Sequence, residues 1–503
     1  MTESSRAGTI EQRGIDYIPE HDRDGRPAHL FWVFIGAQMS FTVIVFGWLP
    51  IVFGLGWWSA VTSILVGLTI GTLIYAPFAL FGPETGTNSA VSSGGHFGVI
   101  GRVIGSLLAM ITAVGFFAIS IWTGGDALIS GMHSLIGTPE TDAMAAAGYA
   151  VTALITIGIA TYGFATVVAA QKIVIPLLGG LMVIGFIALA SKFDAGYHGG
   201  EYLLGGFWAT WLLAVATAAS LPISYSPFAN DYSRYVPKSR SGWPLVIANG
   251  AGMFIGCAFA CLFGAYMASI FGAAELSFVT GLIGISAKWY VIAVIAIGLL
   301  GSFGQGSVCL YGTGLDFSSL IPRLHRVPAT LLVSFISFAL VFVGRFVWNA
   351  VESVSAFVII LVVILTPWVI INLIGYVQRR GRYNIYDLQV FNEGRRGGIY
   401  WFTAGWNLRA VLAFVPSVVV GLLFVNTTLY KGPWAEAANG VDLSLASGAV
   451  LSTVLYLLLT ALFPEPAFVK DIGEEGGPLN PEPVVDEDIA ELKLEAPPEP
   501  GRW

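Results

Sequence analysis

A succession of long apolar runs separated by short polar connections constrains this chain more than any other feature. About 20 apolar residues of helix are needed to cross the hydrocarbon core of a bilayer. The runs predict about twelve spans, at 29–54, 57–81, 100–131, 144–163, 166–190, 207–228, 243–271, 289–315, 326–347, 350–378, 407–429 and 444–464. Because a helix bonds its own backbone in lipid, we predict an all-α polytopic membrane protein with about 12 transmembrane helices.

The composition supports this class. Of 503 residues, 55% are apolar and 11% are charged, whereas about a quarter are charged in a soluble protein. The 61 glycines suit helices that pack closely in lipid. The three cysteines all lie in apolar runs, which excludes a disulfide scaffold. We expect the transporter domain to occupy 29–464, after a polar cytoplasmic tail at 1–28.

The segment 465–503 differs from the rest of the chain. It holds eleven acidic residues against three basic ones and is rich in proline. Such a segment cannot bury enough apolar surface to offset the entropy of ordering it. We therefore predict a disordered, acidic cytoplasmic tail.

The basic residues predict the orientation, because Lys and Arg accumulate in cytoplasmic connections. Twenty of the 24 lie in the two tails and in alternate connections, whereas only Lys192, Lys288, Arg345 and Lys431 lie in the others. This places both termini in the cytoplasm, an arrangement that requires an even number of spans. We expect a multi-pass protein of a cell's inner or plasma membrane.

Signatures of enzymes are absent from the sequence, including HExxH, GxSxG and the Walker lysine loop. We therefore expect no enzymatic activity, no cofactor and no metal site. Transport driven by an ion gradient is the simplest function for such a chain, with the lipid bilayer around it and no nucleic acid as a partner. A channel is less favoured, since no continuous polar stripe runs along several helices, and a receptor is less favoured because nothing in the sequence points to one.

Two spans carry polar residues and helix breakers at their centre. The first contains Gly36, Gln38 and Ser40, and the sixth contains two prolines around Ser224 and Tyr225. Proline frees backbone groups that must then bond to protein, water or ligand. Paired interruptions in two halves of a chain indicate a transport site. The alternatives are a simple proline kink in the sixth span and interhelical hydrogen bonds from the polar residues of the first.

Five stretches in order resemble the nucleobase:cation symport family, in its purine-cytosine permease branch. They are Phe31-Trp32, Gly82-Pro83-Glu84-Thr85-Gly86 followed by Phe97-Gly98 and Gly101-Arg102, Ser226-Pro227-Phe228-Ala229-Asn230-Asp231-Tyr232-Ser233-Arg234-Tyr235, Leu310-Tyr311-Gly312-Thr313-Gly314-Leu315-Asp316-Phe317, and Arg382-Tyr383-Asn384-Ile385-Tyr386-Asp387-Leu388. The resemblance implies a leucine-transporter-type 5+5 inverted repeat, two C-terminal helices and alternating access. It pairs the first span with the sixth.

The resemblance also implies a site for a planar heterocycle between two aromatic rings. Phe116 and Tyr225 match the ring positions, Ser120 matches a polar partner one turn from Phe116, and Gln305 matches an amide position in the eighth span. Two residues depart from the family, since Phe116 replaces a tryptophan and Gln305 replaces an asparagine. The implied substrate is a neutral heterocycle of the cytosine, purine, hydantoin or allantoin type. An amino-acid or organic-cation transporter on the same fold is the alternative.

The coupling cation is expected to be H⁺ rather than Na⁺. Sodium-using relatives carry hydroxyl side chains in the eighth span before the amide, where this chain has mostly apolar residues. Asp126 in the third span is the best titratable candidate, although it also fits a solvated acid at a helix end. Glu84 and Asp231 are expected to act in a gate or in coupling.

Overall fold

The computed structural model describes residues 14–162, 164–272, 277–321, 326–346, 350–427, 430–438, 441–466 and 469. Within these ranges the regular structure is helical, with isolated β-bridges and no strand. The α-helices are α1 (Pro27–Gln38), α2 (Phe41–Val52), α3 (Trp57–Tyr75), α4 (Phe81–Thr85), α5 (Ser89–Phe97), α6 (Val103–Ile136), α7 (Asp142–Tyr162), α8 (Phe164–Ala188), α9 (Phe207–Ser224), α10 (Ala229–Ser233), α11 (Trp243–Phe271), α12 (Phe278–Ile285), α13 (Lys288–Leu320), α14 (Arg326–Phe346), α15 (Ala350–Gln378), α16 (Ile385–Gln389), α17 (Leu408–Phe424) and α18 (Ser444–Leu462).

The helices confirm the all-α membrane class. In the described part of the chain, eight helical stretches are long and apolar enough to cross a membrane, and the bent pair α1 and α2 makes up to nine. Three further apolar helices are shorter, at Asp142–Gly158, Pro328–Val343 and Leu408–Phe424. Each of the twelve apolar runs thus has a helical counterpart, and the number of crossings stays a prediction.

The packing of the helices repeats between two halves of the chain. The first span, α1 and α2, packs on α11, as α9 of the sixth span packs on α3. Helix α6 contacts α7 as α13 contacts α14, and α8 contacts α13 as α15 contacts α6. The long helices α6 and α13 pack on each other. If the first five spans are exchanged with the next five, each contact of one set corresponds to a contact of the other. Because each repeat has an odd number of spans, the second copy crosses the membrane in the opposite direction to the first.

Glycine allows the closest of these helix contacts. A Cβ atom on Gly47 of α2 would lie 1.9 Å from the backbone oxygen of Cys261 in α11. A Cβ atom on Gly264 of α11 would lie 1.9 Å from the backbone oxygen of Ile44. No side chain fits at these distances, so the two backbones approach as in other membrane helix pairs with small residues at the contact.

Basic side chains hold the N-terminal segment against one end of the bundle. Arg23 donates from Nη1 to the Pro83 oxygen at 2.6 Å, and Arg234 donates from Nη1 to the Gly14 oxygen at 2.6 Å. Lys238 forms an ion pair with Glu84 at 3.4 Å. We call this end of the bundle, where residues 14–26 meet α4 and the segment after α10, the basic end. Residues 1–13 lie outside the described ranges.

The C-terminal end of the transporter domain is anchored by a buried ion pair. Arg379, just after α15, contacts Glu465 with two hydrogen bonds of 3.1 and 2.7 Å. Both side chains are almost fully buried. Glu465 is the first residue of the segment predicted to be a solvated tail, and nearly all of that segment lies outside the described residues.

Candidate functional site

The first span is broken at the predicted position. Helix α1 ends at Gln38 and α2 begins at Phe41, and their axes differ by 59°. Ser40 has an extended backbone and its hydroxyl accepts a hydrogen bond from the Val43 amide at 3.3 Å. Ser40 therefore caps the second half of the span, which leaves its side chain at the break.

The sixth span is interrupted but not sharply bent. The sequence suggested that the first and sixth spans would break in an equivalent way, and the structure differs there. Helix α9 ends at Ser224, and a 3₁₀ turn at Ser226–Phe228 leads directly into α10. The amide of Tyr225 donates to the Pro222 oxygen at 3.1 Å, and the amide of Phe228 donates to the Tyr225 oxygen at 3.0 Å. These i to i+3 bonds tighten the turn and preserve the axis.

Three side chains from different spans converge on Gln305 of α13. Ser40 and Ser120 both donate from their hydroxyls to the Gln305 Oε1, each at 2.9 Å. The Gln305 Nε2 donates to the Tyr225 hydroxyl at 3.0 Å. All four side chains are buried. The amide oxygen thus accepts two hydrogen bonds at the break in the first span, and the amide nitrogen keeps a second N–H besides the one that it gives to Tyr225.

Aromatic rings border this amide. The rings of Phe116 and Tyr225 have centroids 5.6 Å apart and are tilted by 60°. Phe116 stacks on Phe46 of α2, with centroids 6.2 Å apart and planes at 25°. The two predicted ring positions are thus neighbours, but their planes are not parallel to each other.

Two predicted residues of the interrupted spans do not join this network. The side-chain oxygen and nitrogen of Gln38 are buried and lack a hydrogen-bond partner in the described part of the structure. The same is true of the Ser224 hydroxyl. Buried polar atoms of this kind are rare in folded proteins and call for an explanation.

Sequence reasoning missed Gln171 and Thr42. Gln171 of α8 donates from Nε2 to the Gly304 oxygen at 2.8 Å, and a Cβ on Gly36 would lie 2.1 Å from its Oε1. Thr42 shares a hydrogen bond of 3.2 Å with Ser120. Gln171 is the single amide in the fifth apolar run, which could have identified it.

The three acidic candidates are separate from the Gln305 network. Asp126 is half-buried and its Oδ1 accepts a hydrogen bond from the Tyr149 hydroxyl at 2.7 Å. Glu84 is partly exposed in its ion pair with Lys238. Asp231 is fully buried at the basic end, where its Oδ1 lies 3.5 Å from the Ser89 amide nitrogen.

Solved structures with this architecture define the class. The chain is similar to Mhp1, a nucleobase-cation-symport-1 family transporter, in a closed conformation with bromovinylhydantoin bound, with a TM-score of 0.70, 17% identity and coverage of 95% of this chain and 100% of that one. The inward-facing conformation of Mhp1 matches with a TM-score of 0.67, 16% identity and the same coverage. A Na⁺-coupled sialic acid symporter in a substrate-bound outward-open state matches with a TM-score of 0.58, 14% identity and coverage of 89% and 92%. These likenesses show that the chain has the fold of these helical membrane transporters.

The family follows from the sequence comparison. The model of the permeases for cytosine/purines, uracil, thiamine and allantoin matches residues 17–448. The putative purine-cytosine permease YxlA of Bacillus subtilis (strain 168) is 28% identical over 465 residues, which cover 90% of this chain and 96% of the relative. The chain belongs to this permease family and is a transporter rather than an enzyme. The resemblance noted in the sequence is confirmed.

Proposed function

We propose that this protein is a secondary-active symporter that imports a nucleobase or a related neutral heterocycle together with a proton. The substrate is of the cytosine, purine, hydantoin or allantoin type. The protein works in a cell's inner or plasma membrane, with the basic end and both termini in the cytoplasm.

The observation that carries the proposal is the Gln305 network at the break in the first span. Gln305 uses Oε1 to accept from two hydroxyls and Nε2 to donate to a third. The acceptor of an amide-like heterocycle edge would take the second N–H of Nε2, and the donor of that edge would replace one of the two hydroxyls at Oε1. Phe116 and Tyr225 add aromatic surface for a flat ring. An apolar site with a few directed polar groups is typical of small-molecule binding.

Unpartnered polar atoms supply further contacts in this proposal. The Gln38 amide, at the end of α1, and the Ser224 hydroxyl, at the end of α9, are buried and lack partners in the described ranges. Hydrogen bonds to a bound substrate would satisfy them, and desolvated groups without partners are costly. Ser40 and Ser120 complete the predicted binding residues.

A neutral substrate is supported by the chemistry of the Gln305 surroundings. The described contacts of Gln305 and its bonded partners include hydroxyls, the rings of Phe116 and Phe228 and the Cys309 thiol, which lies 3.6 Å from the Tyr225 hydroxyl, and none of these groups is charged. Charged ligands in a membrane protein generally need a charged partner or a helix terminus. An amino-acid or organic-cation carrier would need such a partner near Gln38 or Ser224.

Coupling to H⁺ rather than Na⁺ is supported by the residues on the side of α13 that faces the break in the first span. Gly301 lies there, since a Cβ on it would be 2.9 Å from the Ser40 Cα. The nearby Ser302 hydroxyl has one proton to donate and lies 2.7 Å from the backbone oxygens of both Ser120 and Gly298, so backbone groups engage it. Hard cations favour clusters of oxygen ligands. Asp126 and Asp231 are the titratable candidates for coupling, and Glu84 is a gate candidate through its ion pair with Lys238.

Uptake into proteoliposomes tests the proposal. Purified protein should accumulate at least one compound from a panel of nucleobases, hydantoins and allantoin under an inward proton gradient, and a proton ionophore should abolish accumulation. Accumulation driven only by sodium would refute the coupling. Accumulation of amino acids or organic cations but of no neutral heterocycle would refute the substrate class.

A further inference from the structure

Two buried carboxyl groups meet at the basic end, away from the Gln305 network. Asp231 is in α10, the inner half of the sixth span, and Asp316 is in the last turns of α13. Both are fully buried. A Cβ on Gly312 would lie 2.9 Å from the Asp231 Oδ2, and Gly312 is one helical turn before Asp316. The Asp231 carboxylate therefore lies against the same face of α13 that carries Asp316.

The N-terminus of α5 contacts both groups. The Asn88 Nδ2 donates to the Asp316 Oδ1 at 3.4 Å, and the Ser89 amide donates to the Asp231 Oδ1 at 3.5 Å. Hydrogen bonds to ionised carboxylates are usually near 2.7–2.9 Å, so both contacts are weak. The Oδ2 of each carboxyl group has no hydrogen-bond partner in the described part of the chain.

The surrounding groups do not neutralise two negative charges. Of the described cations, Arg234 acts electrostatically on both carboxyl groups, and its Nη2 donates to the hydroxyls of Tyr235 and Tyr311. The buried Arg102 donates instead to the Ser319 oxygen of α13 and to Asn392. From α5 the facing groups are Asn88 and Ser89, which do not titrate. From α4, Glu84 turns to Lys238. Two ionised carboxylates would leave an excess negative charge in a dry site.

Burial of an uncompensated charge is expensive, and a carboxyl group in such a place takes up a proton instead. Two adjacent carboxyl groups hold a proton between them because their charges repel. We infer that Asp231 and Asp316 share one proton while the basic end is closed and release it to the cytoplasm when α10 moves away from α13. The pair is a proton-binding site that favours the closed inner gate, and Asp316 is its newly assigned member.

This inference rests on the proposed function in one respect, namely that the basic end faces the cytoplasm. The site joins three elements, α5, α10 and α13, through Asn88, Ser89 and the two carboxyl groups. Separation of α10 from α13 would expose both carboxyl groups to water and remove their mutual repulsion. Proton loss and gate opening are therefore linked, and cytoplasmic acidity opposes opening by up to about tenfold per pH unit for one proton.

Infrared difference spectroscopy on the full-length purified protein tests the proton directly and needs no substrate. The wild type should show the carbonyl stretch of a protonated carboxyl group at neutral pH, and alkaline titration should remove it. Asp231→Asn and Asp316→Asn should each abolish this titrating band, whereas the exposed Asp194→Asn should keep it. A band that survives in both pair variants, that disappears in Asp126→Asn instead, or that sodium removes at constant pH would overturn the inference.

Exchange of a transported heterocycle in proteoliposomes tests the gate. Acidification of the compartment that faces the basic end should slow wild-type exchange severalfold, and Asp316→Asn should be insensitive to that pH. A wild-type response only to the pH on the opposite side, or a normal response in Asp316→Asn, would refute the gate. If no compound is transported, the proposed function fails, but the infrared result still decides the proton site.

Discussion

Truncation of Gln305 is the most direct test of the proposed binding site. Its amide makes three side-chain hydrogen bonds, with Ser40, Ser120 and Tyr225, at 2.9, 2.9 and 3.0 Å. A buried hydrogen bond contributes about 0.5–1.5 kcal/mol net. If the substrate takes one donor and one acceptor from this amide, Gln305→Ala should lose about 1–3 kcal/mol of binding free energy. That loss corresponds to a rise in Kd of about 5- to 150-fold.

The fold should tolerate this substitution, because the bonded hydroxyls retain other partners. The Ser120 hydroxyl lies 2.8 Å from the Phe116 backbone oxygen and gives its single proton there once the Gln305 Oε1 is removed, and the Ser40 hydroxyl also accepts from the Val43 amide. We therefore expect a normal elution profile in size-exclusion chromatography. Equilibrium binding of a radiolabelled heterocycle to the purified protein gives the Kd.

Variants of the same glutamine separate its two functions. Gln305→Met keeps about the same side-chain length and removes both polar groups of the amide, so its affinity reports what the amide contributes apart from packing. Gln305→Asn keeps the amide but shortens the side chain by one methylene, so its Kd shows whether the position of the amide matters for binding. Gln378→Ala is a matched control, since Gln378 bonds to Thr460 away from the site, and its Kd should match the wild type.

One result would refute this reasoning. If Gln305→Ala binds the substrate with a Kd within twofold of the wild type, Gln305 does not contact the substrate. The hydroxyls that bond to its amide would then only hold helices together. Interhelical hydrogen bonding of this kind is the alternative given above for the polar residues of the first span.

Three further outcomes are expected. Tyr225→Ala should reduce affinity at least as much as Gln305→Ala, through the lost ring contact, and full uptake by this variant would remove the ring from the site. Gly47→Ala should lower the unfolding free energy by about 1–3 kcal/mol, because its Cβ meets a backbone oxygen of α11 at 1.9 Å. Gly180→Ala, with open space around its Cβ, should leave the melting temperature unchanged, and equal shifts would contradict the close approach. Glu465→Ala should cost about 3–5 kcal/mol of stability in chemical denaturation, because it leaves Arg379 buried without its carboxylate; an unchanged midpoint would show that the ion pair is dispensable.

The membrane class and the family were predictable from the chain because both depend on local patterns. Apolar runs specify helices in lipid wherever they occur, and the ordered motifs are short and contiguous. The break at Ser40 was also readable, since glycine and polar residues interrupt an apolar run there. Gln305 followed from a motif position, and its binding role stays a proposal.

Tertiary structure decided which distant residues meet. The sixth span carries two prolines, yet i to i+3 hydrogen bonds keep its axis nearly continuous, and no sequence pattern distinguishes that outcome from a sharp break. Asp231 and Asp316 lie 85 positions apart in the sequence, and only the packing of α10 on α13 brings them together. Glu465 reads as the start of an acidic tail but pairs with a buried arginine. The sequence determines local features because backbone and lipid act on neighbouring residues, whereas buried pairings depend on the contacts between helices.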